Sequence, residues 1–136
     1  MMVLDTNIVL DALVFDDPST QPLKQALASK RIQWLATPAM REELSRVLGY
    51  PKIMARLAFY KLEAEQVLAQ FDEQARVVEV PAKAGVTCRD PDDQKFIDLA
   101  VAHKAMLLSK DRAVLCMKRR LSALGVRAQI AMNFEP

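Results

Sequence analysis

The sequence holds one histidine, His103, and that scarcity closes off several chemistries. An H-E-x-x-H zinc site and a two-histidine ribonuclease both need more imidazoles than one. A Ser-His-Asp triad would have to use His103, which sits in a helical stretch between apolar residues and reads as an ordinary side chain there. Glycine is also scarce, with three residues in the chain, and no G-x-x-x-x-G-K-[ST] or G-x-G-x-x-G phosphate loop occurs. The two cysteines, Cys88 and Cys116, form no C-x-x-C pair and no disulfide framework, so buried, inert thiols are expected. No apolar run approaches the roughly 18 residues needed to span a bilayer. Asp5 and Asp11 interrupt the first apolar stretch, which therefore does not read as a secretory signal. The expectation is a cytoplasmic protein with reduced thiols and no membrane contact.

What is present is ordinary globular material. Of 136 residues, 51% are hydrophobic and 26% charged, enough for one domain spanning residues 1–136 with a real core. The formal charge of +2 says little about partners, but its distribution says more. From Val101 onward stand Lys104, Lys110, Arg112, Lys118, Arg119, Arg120 and Arg127, against only Asp111 and Glu135. Acids gather elsewhere, as in Asp90, Asp92 and Asp93. A basic half beside acidic clusters suits a polyanion-binding protein with a cation site, though solvated helices show the same pattern.

Met1–Leu4 is an apolar run ending abruptly at Asp5, and it reads as a buried strand. Ile8, Val9, Ala12 and Leu13 then recur at helical spacing. Ser19 or Thr20 is placed to cap a second helix with Leu23, Ala26 and Leu27 inward. Ile32–Ala36 reads as a second strand. Thr37-Pro38 opens a helix through Met40, Glu43, Leu44, Val47 and Leu48 that stops at Gly49-Tyr50-Pro51. A further helix is expected from about Lys61 to Phe71, and a third strand over Arg76–Val80. Asp90-Pro91-Asp92-Asp93 opens a helix with Phe96, Ile97, Ala100 and Val101 inward. A fourth strand covers Ala105–Ser109, a helix Asp111–Leu124, and a last strand Val126–Ala131. The Met and Phe residues, and Trp34, are expected in the core. Strands alternating with helices predict an α/β fold: a three-layer α/β/α sandwich around a parallel sheet of four to five strands.

The acids fall at telling places in that layout. Asp5 follows the first strand, Asp111 follows the fourth, and Asp93 lies in the first turn of the helix leading into the fourth. In an open parallel sheet, ligands bind beyond the carboxyl ends of the strands. Glu43, one and a half turns into its helix, could lean over the same crevice. Each acid taken alone has a plainer explanation, since an Asp after a strand is ordinarily a helix cap and Asp93 would suit a helix dipole. The coincidence of three strand-end and helix-end acids is what points further. Four such carboxylates repel one another unless a hard divalent cation, Mg²⁺ or Mn²⁺, neutralises them. Such a site holds one or two ions and suits phosphodiester cleavage. Thr6, Asn7 and Ser109 are candidates to contact the carboxylates, the water or the substrate. Asp98 is expected to be solvated or to act through another residue.

Four segments together resemble the PIN domain: V-L-D-T-N at Val3–Asn7, T-P-A-M-R-E-E-L-S-R-V-L at Thr37–Leu48, C-R-D-P-D-D-Q-K-F-I-D-L-A at Cys88–Ala100 and L-L-S-K-D at Leu107–Asp111. D-T-N alone is a weak motif; four motifs in order and at the expected separations are strong. More narrowly, the chain is similar to the prokaryotic PIN-domain proteins that serve as toxins of toxin–antitoxin systems. The resemblance runs from Val3 to about Val114. It implies a Mg²⁺- or Mn²⁺-dependent ribonuclease acting on RNA, with Asp5, Glu43, Asp93 and Asp111 as the metal-holding and catalytic acids and Ser109, Thr6 and Asn7 in support. It also implies a homodimer neutralised by a small antitoxin protein. Where relatives often carry a third acid or an Asn after the Asp-Asp pair, this chain has Gln94, so Asp92 competes with Asp93 as ligand. Asp93 is preferred because the following helix then aligns to Asp111 without a gap. Arg41, Arg46, Lys95, Lys110 and Arg112 are candidate RNA-backbone contacts because of their closeness to the acids.

Two other classes fit poorly. A haloacid-dehalogenase-type phosphatase wants D-x-D where this chain has Asn7, and a receiver domain wants a phosphoacceptor Asp near Lys52, Ile53 and Met54. The alternative that stays open is a PIN-fold binding module with little or no nuclease activity.

Overall fold

A computed structural model of the protein describes residues 1–130. Five short strands, β1 (Met2–Leu4), β2 (Trp34–Ala36), β3 (Ala75–Val77), β4 (Met106–Leu108) and β5 (Ala128–Gln129), form one sheet in the order β3-β2-β1-β4-β5. All four pairings are parallel. The three central strands are buried apart from the half-buried Met106, which explains why each reads as an unbroken apolar run and not as an alternation. The expected three-layer α/β/α sandwich is the observed architecture.

Among the described residues, eight α-helices connect the strands: α1 (Thr6–Leu13), α2 (Gln21–Ala28), α3 (Pro38–Leu48), α4 (Pro51–Phe59), α5 (Ala64–Gln74), α6 (Gln94–His103), α7 (Arg112–Leu115) and α8 (Lys118–Ala123). The chain steps from β1 to β2 to β3 in one direction and then crosses back to β4 and β5. With right-handed crossovers this places α1–α5 on one face and α6–α8 on the other. The packing of α3 against α1, α4 and α5, and of α6 against β1 and β4, agrees. Between β1 and β4 the strand order reverses, the place where open parallel sheets bind ligands beyond their carboxyl ends.

Local differences from the expected elements have local causes. Pro51 does not merely end α3: Tyr50 before it is extended, and Pro51 is the first residue of a separate helix, α4, which was not anticipated. Neither Ser19 nor Thr20 caps α2 with its side chain. Asp17 caps a short 3₁₀ turn, Pro18–Thr20, that leads into α2. The expected helix over Asp111–Leu124 is two helices, broken at Cys116 and Met117. Trp34 is buried edge-on against Phe71, ring centres 4.9 Å apart. Not all Met and Phe residues are core, however: on α4, Met54 is 55% and Phe59 77% exposed. Cys88 is buried as expected, whereas Cys116 is exposed. Ala131, the end of the expected last strand, and Glu135 lie outside the described residues. Among the described residues, no helix is long and apolar enough to cross a membrane.

Candidate active site

One hydroxyl ties together the carboxyl ends of β1 and β4. The Asp5 backbone N–H donates to Leu108 O at 3.0 Å, which carries the β1–β4 ladder one residue past β1. Asp5 then caps α1: its Oδ1 accepts from the Asn7 backbone N–H at 2.7 Å. Its Oδ2 accepts from Ser109 Oγ at 2.6 Å. The same Ser109 Oγ accepts the Asp111 backbone N–H at 3.0 Å. Asp111 in turn caps α7, its Oδ1 accepting the Ala113 N–H at 2.9 Å. Both strand-end acids are therefore helix caps, and the capping bond uses only one oxygen of each. The plain reading of these residues and the functional one do not compete.

Asp93 completes the group. It ends a 3₁₀ turn, Pro91–Asp93, and sits at the cap position of α6 without capping it. Its carboxyl turns inward instead, and Asp93 is 8% exposed. One carboxylate oxygen from each of Asp5, Asp93 and Asp111 lies within 4.8 Å of the others. Burial and then Asp111 (a shared hydrogen bond, then its charge), with Asp5 and Asp90 adding, push the Asp93 carboxyl up to about 8. Burial also raises Asp5 above the ordinary carboxylate range, opposed by the bonds from Ser109 and Asn7. The Oδ2 atom of Asp93 is fully buried and has no hydrogen-bond partner among the described residues. An orphaned carboxyl oxygen among hard oxygen donors is what a Mg²⁺- or Mn²⁺-type cation satisfies, and the residues present fit such an ion.

Glu43 stands at the rim. It is not one of the three converging acids, although its charge is felt at Asp5. Its buried Oε2 faces Lys95 Nζ at 2.9 Å, an ion pair that ties α3 to α6 across the carboxyl ends. Asp92 is exposed and points away, so of the adjacent pair only Asp93 joins the cluster. Asn7 contributes its backbone N–H, and Thr6 makes no side-chain hydrogen bond among the described residues. Gln94 is a fastener: its amide accepts the Cys88 N–H and donates to Val86 O and Asp98 Oδ1. Asp98 is half-buried and acts through its neighbours: it also accepts the Ala84 N–H at 2.9 Å and holds the loop before α6.

The five basic candidates divide. Arg41 is engaged in a two-pronged bond to Asp72, Lys95 pairs with Glu43, and Lys110 pairs with Asp11. Arg46 and Arg112 are exposed with no ion pair among the described residues. Asp11 was missed as a site-supporting residue. It is buried on α1 and anchors the loop between Ser109 and Asp111 through Lys110. A signal existed: a carboxylate inside the apolar run Ile8-Val9-Leu10-Asp11-Ala12-Leu13-Val14 needs a partner.

Compared with known proteins, residues 1–113 match the PIN domain family. An uncharacterized protein of Methanocaldococcus jannaschii is 23% identical over 117 residues, covering 86% of this chain and 74% of that protein. The family match takes in β1 through β4 and all the acids described above.

Proposed function

The chain belongs to the PIN domain family, and from that premise we propose that it is a metal-dependent endoribonuclease that hydrolyses RNA phosphodiester bonds. The family supplies a nuclease-type fold. The observation that carries the reading is the convergence of Asp5, Asp93 and Asp111 at the sheet's reversal point, with an unpartnered buried oxygen on Asp93. In this reading those three acids would hold one or two Mg²⁺ or Mn²⁺ ions, with Glu43 at the rim as the fourth acid. A cation held there supplies a water of lowered pKa and neutralises charge on the phosphodiester.

The chain's own residues do the remaining work. Ser109 and the Asn7 N–H hold Asp5 in place and favour its charged form against the effect of burial, so it accepts at fixed positions. Without a cation, burial and the neighbouring acids favour a proton on Asp93, which a bound cation would displace. Lys95 balances Glu43, and Arg46 and Arg112 are free to meet backbone phosphates. Intact acids weigh against the binding-module alternative, which has no need of an orphaned carboxylate.

The narrower reading is that this single domain is the cytoplasmic toxin of a type II toxin–antitoxin pair, a homodimer checked by a small antitoxin. The motif resemblance supports it, and the exposed Tyr50, Met54 and Phe59 offer apolar surface of the kind protein partners cover. The test of the enzyme is cleavage of structured and single-stranded RNAs with Mg²⁺, Mn²⁺ or chelator, comparing wild type with Asp5→Asn and Asp111→Asn. Metal-dependent cutting lost in both variants is expected. Cutting that survives both substitutions would sink the assignment.

A further inference from the structure

From Arg112 to Ile130 the chain contains no Asp or Glu and five cationic side chains, Arg112, Lys118, Arg119, Arg120 and Arg127. All five are exposed, and none forms an ion pair among the described residues. Two of them converge. Lys118 and Arg127 line one groove of about 360 Å³, together with Ser122 and the backbone turning at Gly125. The aliphatic stem of Lys104 passes beside it: a Cβ on Gly125 would lie 3.5 Å from its Cδ. Gly125 has φ +83°, a conformation that other residues rarely adopt. Among the described residues the groove is lined by two cationic side chains and a hydroxyl, with no carboxylate. Like charges held together without a counterion repel, and a bound anion removes that repulsion.

The groove lies away from the acids. Gly125 and Arg127 precede β5 and Lys104 precedes β4, so it opens at the amino edge of the sheet, whereas the acids stand at the carboxyl edge. Between the two run α7 and α8, with Arg112 beside Asp111 and Arg119 and Arg120 exposed on the way. At 1.5 Å per residue these helices separate the sites by at most about 20 Å. We propose that the Lys118–Arg127 groove is a non-catalytic phosphate site for the backbone of an RNA strand that continues from the acids over α7 and α8. The identity of the polyanion rests on the ribonuclease reading; the groove's affinity for phosphate does not.

The test is fluorescence-anisotropy binding in chelator, where no turnover occurs, of single-stranded RNAs of about 20 and about 5 nucleotides across a salt series. Wild type is compared with Lys118→Gln/Arg127→Gln and with Lys118→Glu/Arg127→Glu, both checked for unchanged melting temperature. The longer RNA should bind about tenfold more weakly to the Gln variant, with a salt slope smaller by about 1.4, the loss of two single-strand phosphate contacts. Metal-dependent cleavage of the short RNA should be unchanged. Equal affinity and slope for the long RNA in wild type and both variants would overturn the proposal. So would a variant that loses binding to anionic phosphatidylglycerol vesicles while keeping its RNA affinity. If wild type cuts no RNA yet the slope falls as stated, the ribonuclease reading fails and the groove stands.

Discussion

Ser109 Oγ donates to Asp5 Oδ2 at 2.6 Å and so joins two acid-bearing loops that are 104 positions apart in sequence. The same oxygen receives the Asp111 N–H, so one fully buried hydroxyl sets the spacing of both strand-end acids. Ser109→Ala leaves a buried carboxylate oxygen and a backbone N–H without their partner, a cost of about 1–3 kcal/mol. Partners of this kind change metal affinity or activity by about 10–100-fold when removed. Ser109→Thr, which keeps the hydroxyl, should retain most of both. Thermal melts and Mn²⁺ titration of the two variants check this, and equal behaviour of Ala and Thr would refute it.

Much of this was legible before the structure, for a physical reason. A buried parallel strand is a short apolar run, and its carboxyl end shows as the residue where that run stops; Asp5 and Asp111 stand at those stops. Asp93 was legible through the Pro91 turn before it. What tertiary packing decides was not legible. Nothing in the local pattern around Glu43 reveals Lys95, which arrives from a helix on the other face. The break between α7 and α8 was hidden because apolar residues keep helical spacing through Val114, Met117 and Leu121. Helix α4 was hidden because Tyr50-Pro51 marks an end and a beginning equally well.

The Asp93 carboxyl titrates at about 8 in the folded, metal-free protein but near 4 when unfolded. Between these values the folded state binds the extra proton, so stability falls as pH rises from about 4 to about 8. Asp93→Asn removes that penalty. It should raise the melting temperature in chelator, with a gain that grows from near zero at pH 4 to its full size at pH 8. Each kcal/mol gained corresponds to about 3–5 °C in a chain of this size. Mn²⁺ should stabilise wild type more at pH 8 than at pH 5.5, where protons compete for the same oxygens. Differential scanning calorimetry at the three pH values gives the answer, and a pH-independent difference would contradict it.

Lys95 neutralises Glu43 in the metal-free protein. Lys95→Ala leaves the buried Oε2 of Glu43 charged and uncompensated, whereas Glu43→Gln/Lys95→Ala removes both charges. Because both side chains are partly exposed, the single variant should lose only about 1 kcal/mol, and the double variant less. If Glu43 shares in holding a cation, Mn²⁺ should restore the Lys95→Ala variant toward wild type and leave the double variant unrestored. A double-mutant cycle with and without Mn²⁺ measures this. Recovery of both variants alike would remove Glu43 from the metal site.

Asp11 and Lys110 form the second support of the site. Asp11 is buried on α1, and Lys110 stands between Ser109 and Asp111, so their ion pair pins the loop carrying both residues to the helix that Asp5 caps. Lys110 is thereby occupied, and its first effect should be on loop position, not on RNA affinity. Lys110→Ala strands a carboxylate in the protein interior and should cost about 1–3 kcal/mol. Asp11→Asn/Lys110→Ala relieves that charge and should recover much of the stability without restoring the loop's anchor. The two effects separate in kinetics: kcat should fall in both variants, while KM for RNA stays near the wild-type value. A rise in KM at unchanged kcat would show Lys110 to be a phosphate contact instead, and the pinning role would be lost.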